Sequence, residues 1–309
     1  MAITVNRRRK AWMGGGFVEA ALASNPTANA LFAGLTASGT DVFLASRSTP
    51  QFRLPVSGGK DEIAIIEKRY LLGWNSRFDT ARQLFREYLT SADPFENNVM
   101  RQDTTHATSS GIQKREEYQT YLDASSPLPT PFPPTRLGSQ LAAVARTIGL
   151  RNVLGIPRQV FYVTLGGFDT HSSQSVDLPE KHRELSSALS AFKQAMIEMN
   201  AWDDVTAFTM SDFGRTLSDN GNGTDHGWGS HHFVVGGGIN GGQIIGDVPE
   251  PEPDSPRFTK KRARMIPTIS VEQYAASLGS WFGLNDEELN GLFPNRGRFD
   301  TGAVTLFNG

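Results

Sequence analysis

The 309-residue sequence contains no cysteine. That excludes disulfides, thiolate metal ligands and a cysteine nucleophile, and leaves the compartment open. It has no excess of either charge. Thirty Lys and Arg stand against 32 Asp and Glu, for a formal net charge of −2. A nucleic-acid binder shows a basic face or a high pI, so no nucleic-acid partner is expected. Long apolar runs are also missing, and no membrane span is expected. The opening MAITVNRRRKAWMGGGF carries the basic cluster Arg7–Arg8–Arg9–Lys10 with no apolar region behind it. It is therefore not a readable secretion signal.

What is present is the composition of an ordinary globular protein, 38% hydrophobic and 20% charged, long enough for one large domain or two small ones. Residues 30–66 hold short apolar runs split by Ser-Gly, Thr-Pro and Gly-Gly, and read as β. Over residues 68–122 the pattern turns helical, with Phe78, Ala81, Leu84, Phe85 and Leu89 at helical spacing. We expect a helical insertion over 67–135, closed by the proline-rich SSPLPTPFPPT. A helix, RLGSQLAAVARTIGLRN, follows. RQVFYVTLGG, DVTAFTMSDFG and HHFVVGGGI then read as buried strands. A long helix with Pro179 near its start separates the first two. A last amphipathic helix opens at Ser270, an N-cap with Glu272 and Gln273 in its first turn. This order predicts an α/β fold with a mostly parallel sheet flanked by helices, a helical insertion and a small β-rich N-terminal region. GDVPEPEPDSPRFTKKRAR reads as a surface loop. The expected organisation is a single α/β domain over 1–309.

Histidine is scarce, six in all, and three lie in SDFGRTLSDNGNGTDHGWGSHH between Ser211 and His232. Strand VFYVTL runs into GGFDTHSSQ and strand VTAFTM into SDFGRT, so acidic residues follow the carboxyl ends of two strands. Ligand sites form at that edge of open α/β sheets. Asp169, His171, Asp212 and His226 thereby become candidates for one divalent-metal site. Carboxylates and neutral imidazoles suit zinc, manganese or iron. Arg215 reads either as a two-pronged grip on an oxyanion or as a salt-bridge partner. Asp225 reads as a ligand or as a turn aspartate. His231 and His232 point to opposite faces of a regular strand, so at least one is structural or supports the ligands from behind. Gln174, the last residue of GGFDTHSSQ, is a supporting candidate. Asp219, Asn220 and Asn222 read as turn geometry, and His106 and His182 as solvated. Gly166, Gly167, Gly221 and Gly223 permit close backbone approach.

The stretches LGGFDTHSSQ, SDFGRTLSDNGNGTDHGWGSHHFVVGGGINGG and IPTISVEQYAASLGSWFGL resemble the bacterial DUF1501 family. AWMGGGF and LFAGLTASGTDVFLASRSTPQFRLPVSGG extend the resemblance over nearly the whole chain. The resemblance implies a remote relationship to the alkaline phosphatase and sulfatase superfamily, with an alkaline phosphatase-like α/β core and a two-metal site at the strand ends. It implies that Asp169, His171 and His226 belong to one metal site and Asp212 to the second. It also implies hydrolysis of small anionic phosphate or sulfate esters, a divalent cofactor (Zn, Mn, Fe or Ca), and export to the periplasm or the exterior. The Asp169-to-His171 spacing is short for that superfamily. Phe213 stands where relatives place a metal-binding histidine. The family's opening strand, with its GGNDG-like motif, has no counterpart in the pattern read here. One metal site is therefore expected to be complete and the other half-built, with no nucleophile assigned. The alternative is a non-catalytic binding or self-assembling member, a homo-oligomer or one whose open sheet edge a partner chain covers.

Overall fold

The computed structural model describes residues 13–24, 26, 29–39, 41–47, 49–56, 79–91, 98–250, 252, 255–259, 262–299 and 304–308. The β reading of 57–66 and the first residues of the expected insertion lie outside them. The chain divides into two compact units, Ser57–Ser126 and the remainder.

The described residues of the smaller unit form two helices, α2 (Asp79–Thr90) and α3 (Val99–Ala124), which pack on one another. Asn98 caps α3, its side chain accepting from Arg101 N. Arg86 and Glu116 form an ion pair between the helices. Both side chains are substantially exposed, and such pairs contribute little.

The larger unit is built on a short parallel sheet. Helix α1 (Met13–Ser24) leads to β1 (Gly34–Thr36), which lies between β2 (Phe52–Arg53) and β3 (Val160–Tyr162). Leu35 pairs in register with Phe52 on one side and Phe161 on the other, both parallel. The N-terminal β residues therefore do not form a separate region, as expected, but join β3 in one sheet. Phe32, Leu35, Leu44, Leu54 and Leu154 are almost fully buried around it. Burial of each such side chain stabilises by about 1.5–3 kcal/mol.

Helices cover the sheet. Thr135 caps α4 (Arg136–Gly149), accepting from Gly138 N at 3.0 Å. Leu137, Leu141, Val144 and Ile148 repeat at helical spacing and are buried, and α4 packs on α6 (Gln174–Glu198). A short α5 (Arg151–Leu154) ends at Gly155, whose φ of 64° is the left-handed conformation a helix stop uses. Helix α6 starts earlier than expected, which places Pro179 inside it. The missing N–H costs one bond, in the second turn. Ser270 caps α7 (Val271–Trp281) in a full capping box with Gln273, and Asn285 does the same with Glu288 for α8 (Asp286–Leu292). Gly279 of α7 sits where a Cβ would fall 2.7 Å from Leu289 and 3.0 Å from Phe17, so α1, α7 and α8 meet closely there.

After residue 200 the strands run antiparallel, which corrects the expectation of a mostly parallel sheet. β4 (Thr206–Phe208) pairs with β7 (Val234–Gly236), Ala207 opposite Val235. A parallel return needs a crossover, usually a helix, and residues 209–233 contain none. They form instead a hairpin of β5 (Arg215–Asp219) and β6 (Thr224–His226). Among the described residues the fold is thus a mixture of helices and strands, with one three-stranded parallel sheet and two antiparallel pairs. Among the described residues no helix is long and apolar enough to cross a membrane.

Candidate metal centre

Two loops and one hairpin build the site. The turn at the tip of the hairpin is drawn by its Asx residues. Asn220 N donates to Gly223 O at 2.9 Å, Asn220 Oδ1 accepts from Gly223 N at 2.9 Å, and Asp219 Oδ1 accepts from Gly221 N at 2.8 Å. The tip then locks to the loop after β3. Asn220 Nδ2 donates to His171 O at 3.1 Å, and Asn222 Oδ1 accepts from Ser173 N at 3.2 Å. A Cβ on Gly223 would fall 2.4 Å from Thr170 O. Glycine at this position is what allows the two segments to touch.

That contact brings three side chains to one point. Asp169 Oδ1 lies 3.0 Å from His171 Nε2 and 3.0 Å from His226 Nε2, and the two nitrogens are 3.1 Å apart. All three residues are exposed. A tetrahedral ion with bonds of about 2.0–2.1 Å separates its ligand atoms by about 3.3 Å. The donor types and their spacing therefore fit a divalent ion with positions left open to solvent or ligand.

Neighbouring groups fix the orientation of this set. The Phe213 ring stacks on the His226 ring, centroids 3.9 Å apart at 20°. Phe213 thus holds a ligand candidate in place where relatives were expected to carry another ligand. Arg215 is ion-paired with Asp169 Oδ1. Its Nε donates to Thr224 Oγ1 at 3.0 Å and its Nη2 to Thr224 O. Thr224 Oγ1 in turn donates to Gln174 Oε1 at 2.8 Å, and Thr170 Oγ1 donates to the same oxygen at 3.0 Å. Gln174, the first residue of α6, therefore ties together the two segments that carry the triad. Burial works against the charge on Asp169, but the hydrogen bonds from Arg215 and then His226, with the charges of both imidazoles, hold its carboxyl below the usual range.

Asp225 stands behind His171, its Oδ1 3.5 Å from Nδ1, and is ion-paired through Oδ2 with Arg262. Carboxylates behind histidine ligands in this way set ring orientation in metal sites. Arg262 and Ala263 both carry positive φ, 64° and 43°, a conformation that costs non-glycine residues energy. They belong to a tongue that bridges Phe258 to Met265 and Arg264 to Thr216, and Arg264 Nε donates to His226 O at 3.1 Å. The stretch read as a surface loop thus returns to support the site.

Asp212 lies outside the three-residue group. Its negative charge is felt instead at the Tyr162 hydroxyl, which donates to Asp41 Oδ2 at 2.9 Å. His232 lies beside the β4–β7 pair, Nδ1 3.4 Å from Thr209 Oγ1 and its ring 6.1 Å from that of Tyr274. His231 is exposed, and neither histidine belongs to the group. Thr170, Thr224, Arg262 and Arg264 were not read from the sequence. The two threonines carried a signal, since FDTH and GTDH each place a hydroxyl beside a ligand candidate.

Residues 74–292 match the family described as "Protein of unknown function (DUF1501)". They make up most of the chain, and the chain belongs to this family. No curated protein and no solved structure matches it.

Proposed function

We propose that the chain is a metal-dependent hydrolase of small phosphate or sulfate esters, exported from the cell, with an ancestry in the alkaline phosphatase and sulfatase superfamily. The observation that carries this reading is the convergence of Asp169 Oδ1, His171 Nε2 and His226 Nε2 within 3.1 Å of one another. Asp169, His171 and His226 would hold the ion, and two imidazoles with one carboxylate favour zinc, manganese or iron over calcium. When bound, such an ion supplies Lewis acidity toward a phosphoryl or sulfuryl oxygen. Asp225 and Phe213 orient the two imidazoles. Arg215 orients Asp169, and three of its five N–H groups are already donated to Asp169 and Thr224. The remaining two are its means of gripping an ester oxyanion. Asp212 belongs to a second metal position in this reading.

The second reading, a binding or assembly protein without turnover, is favoured by one observation. The hydroxyls beside the triad, Thr170 and Thr224, are both bonded to Gln174, so neither is presented as a nucleophile. Elemental analysis of the purified chain, with hydrolysis of aryl phosphate and aryl sulfate by wild type and Asp169→Ala, separates the two. The hydrolase reading expects a bound divalent metal and turnover, both lost in the variant. Metal without turnover leaves the binding reading; absence of metal and turnover removes the hydrolase.

A further inference from the structure

A cavity of about 700 Å³ is lined by residues 156–163, containing β3, and 203–208, containing β4, and by none of Asp169, His171 and His226. Side chains alternate between the faces of a strand, so a cavity on one face would touch every second residue. Contact with every residue places this one at the strand edges. Phe161, Tyr162 and Val163, and likewise Val205 to Phe208, are accordingly half-buried without alternation. The backbone directions agree. Val160 N donates to Ala33 O and Ala37 N to Tyr162 O, both toward β1, so Phe161 turns its own backbone groups to the cavity. Thr209 N donates to Phe233 O on the β7 side, so Thr206 and Phe208 turn theirs to it as well. Among the described residues β3 pairs only with β1 and β4 only with β7. The buried Thr206 hydroxyl also has no hydrogen-bond partner among them.

Shape, backbone chemistry and charge select the occupant. Gln159 to Val163 span about 13 Å at the rise of a strand, so the cavity averages at most about 50 Å² in cross-section. One strand in a layered sheet takes up that much, roughly 4.8 Å by 10 Å. A helix is at least about 10 Å across and does not fit. An acyl chain fits the width, but it leaves the backbone groups of Phe161, Thr206 and Phe208 unpaired, whereas an extended peptide pairs them. Apolar side chains surround the slot, Leu141, Ile148 and Phe192 from α4 and α6, and Phe17, Leu278 and Trp281 from α1 and α7. The exposed lining residues Arg158, Asp203 and Asp204 stand just ahead of β3 and β4 and mark the mouth. None of the three is ion-paired among the described residues, and two carboxylates against one guanidinium leave the mouth acidic.

We propose that this cavity is an interaction site for a separate partner polypeptide, which inserts an extended segment of about five residues, apolar along its length and basic where it leaves at the mouth. Its backbone bonds to Phe161 on one side and to Thr206 and Phe208 on the other, and its basic flank meets Asp203 and Asp204. The proposal names the kind of partner that the binding reading requires, and it holds whether or not the metal centre turns over an ester.

Labelled peptides titrated into the full chain test it, read by fluorescence anisotropy with amide hydrogen exchange alongside. The peptide KKVIVAVKK is expected to bind saturably, with and without zinc, and to slow exchange at Phe161 and Phe208 at least about tenfold. Ala145 in α4 is the control for folding and stays protected throughout. KKVPVPVKK lacks two backbone donors and is expected to bind at least about tenfold more weakly. EEVIVAVEE is expected to bind more weakly at low salt, and Asp203→Lys/Asp204→Lys to reverse that preference. No binding, or equal binding of the proline peptide, overturns the proposal. Sodium palmitate binding in preference to every peptide assigns the cavity to an acyl chain and overturns it too. Slow exchange at Phe161 and Phe208 before any peptide is added means that the chain fills its own cavity, and likewise overturns it.

Discussion

Thr224 accepts from Arg215 and donates to Gln174, so one hydroxyl couples the carboxylate candidate to the start of α6. Thr224→Val is expected to leave the fold intact and weaken divalent-metal binding by about 10–100-fold, the usual cost of losing an outer hydrogen bond in a metal site. Isothermal titration with zinc measures it, and an unchanged affinity would remove Thr224 from the site. Tyr162 supplies the pH dependence. Burial, then the Asp41 hydrogen bond, then the charges of Asp41 and Asp212 push its phenol far above the ordinary value. A group raised on folding stabilises fully below its unfolded pKa, about 10. That contribution falls away as the pH rises from there through the folded value. Asp41→Asn is expected to bring the Tyr162 transition down and to flatten the alkaline loss of stability, read by ultraviolet titration alongside thermal melts. At this scale much of the site was legible. Asp169, His171 and His226 were selected because acidic and imidazole groups follow apolar strands, and the structure does gather them. Asp212 follows a strand in the same way and is not gathered, because a strand end fixes the edge a residue occupies and not the neighbour it turns toward. Arg215 left two readings open, and its ion pair with Asp169 became visible only once the hairpin had placed β5.

The β5–β6 hairpin is the element on which the centre depends. It delivers His226, Arg215, Thr224 and Asp225, and Phe213 just ahead of it stacks on His226. Phe213→Ala is expected to leave the imidazole of His226 free to turn and to lower metal affinity by at least about tenfold, with a smaller loss of stability than a core deletion, since Phe213 is only partly buried. Histidine ring resonances in NMR spectra, followed during zinc titration, report both orientation and binding. A different cost is expected at the capping box of α7. Gln273→Ala removes the bond from Ser270 N to Gln273 Oε1 and should destabilise by about 1 kcal/mol, seen as a lower urea midpoint with metal binding unchanged. The cap was readable because a Ser three residues ahead of a Gln is a local signal. The hairpin was not, because its residues form no alternating apolar pattern and only the Asn-Gly turn announced it. The tongue that brings Arg262 and Arg264 to the site was hidden for the same reason. Its contacts are between charged groups far apart in sequence, and the charge-rich composition reads as solvated.

On the scale of the whole molecule, the described residues comprise a helical pair and a larger unit with one three-stranded parallel sheet and two antiparallel pairs. The mixture of helices and strands was legible from alternating strand-like and helical runs, and the parallel pairing of β1 with β3 follows from the helices between them. The antiparallel pairing of β4 with β7 was not, since the apolar runs of both strands suit either direction. Only the absence of a crossover helix decides it. The central claim is that Asp169, His171 and His226 form a metal centre. Zinc titration of the metal-stripped wild-type chain and of His226→Ala, by isothermal calorimetry at neutral pH, tests that claim most directly. The account predicts one saturable site in the wild type, with an affinity at least about a hundredfold lower in the variant. Equal binding by both proteins, or no binding by either, would contradict it.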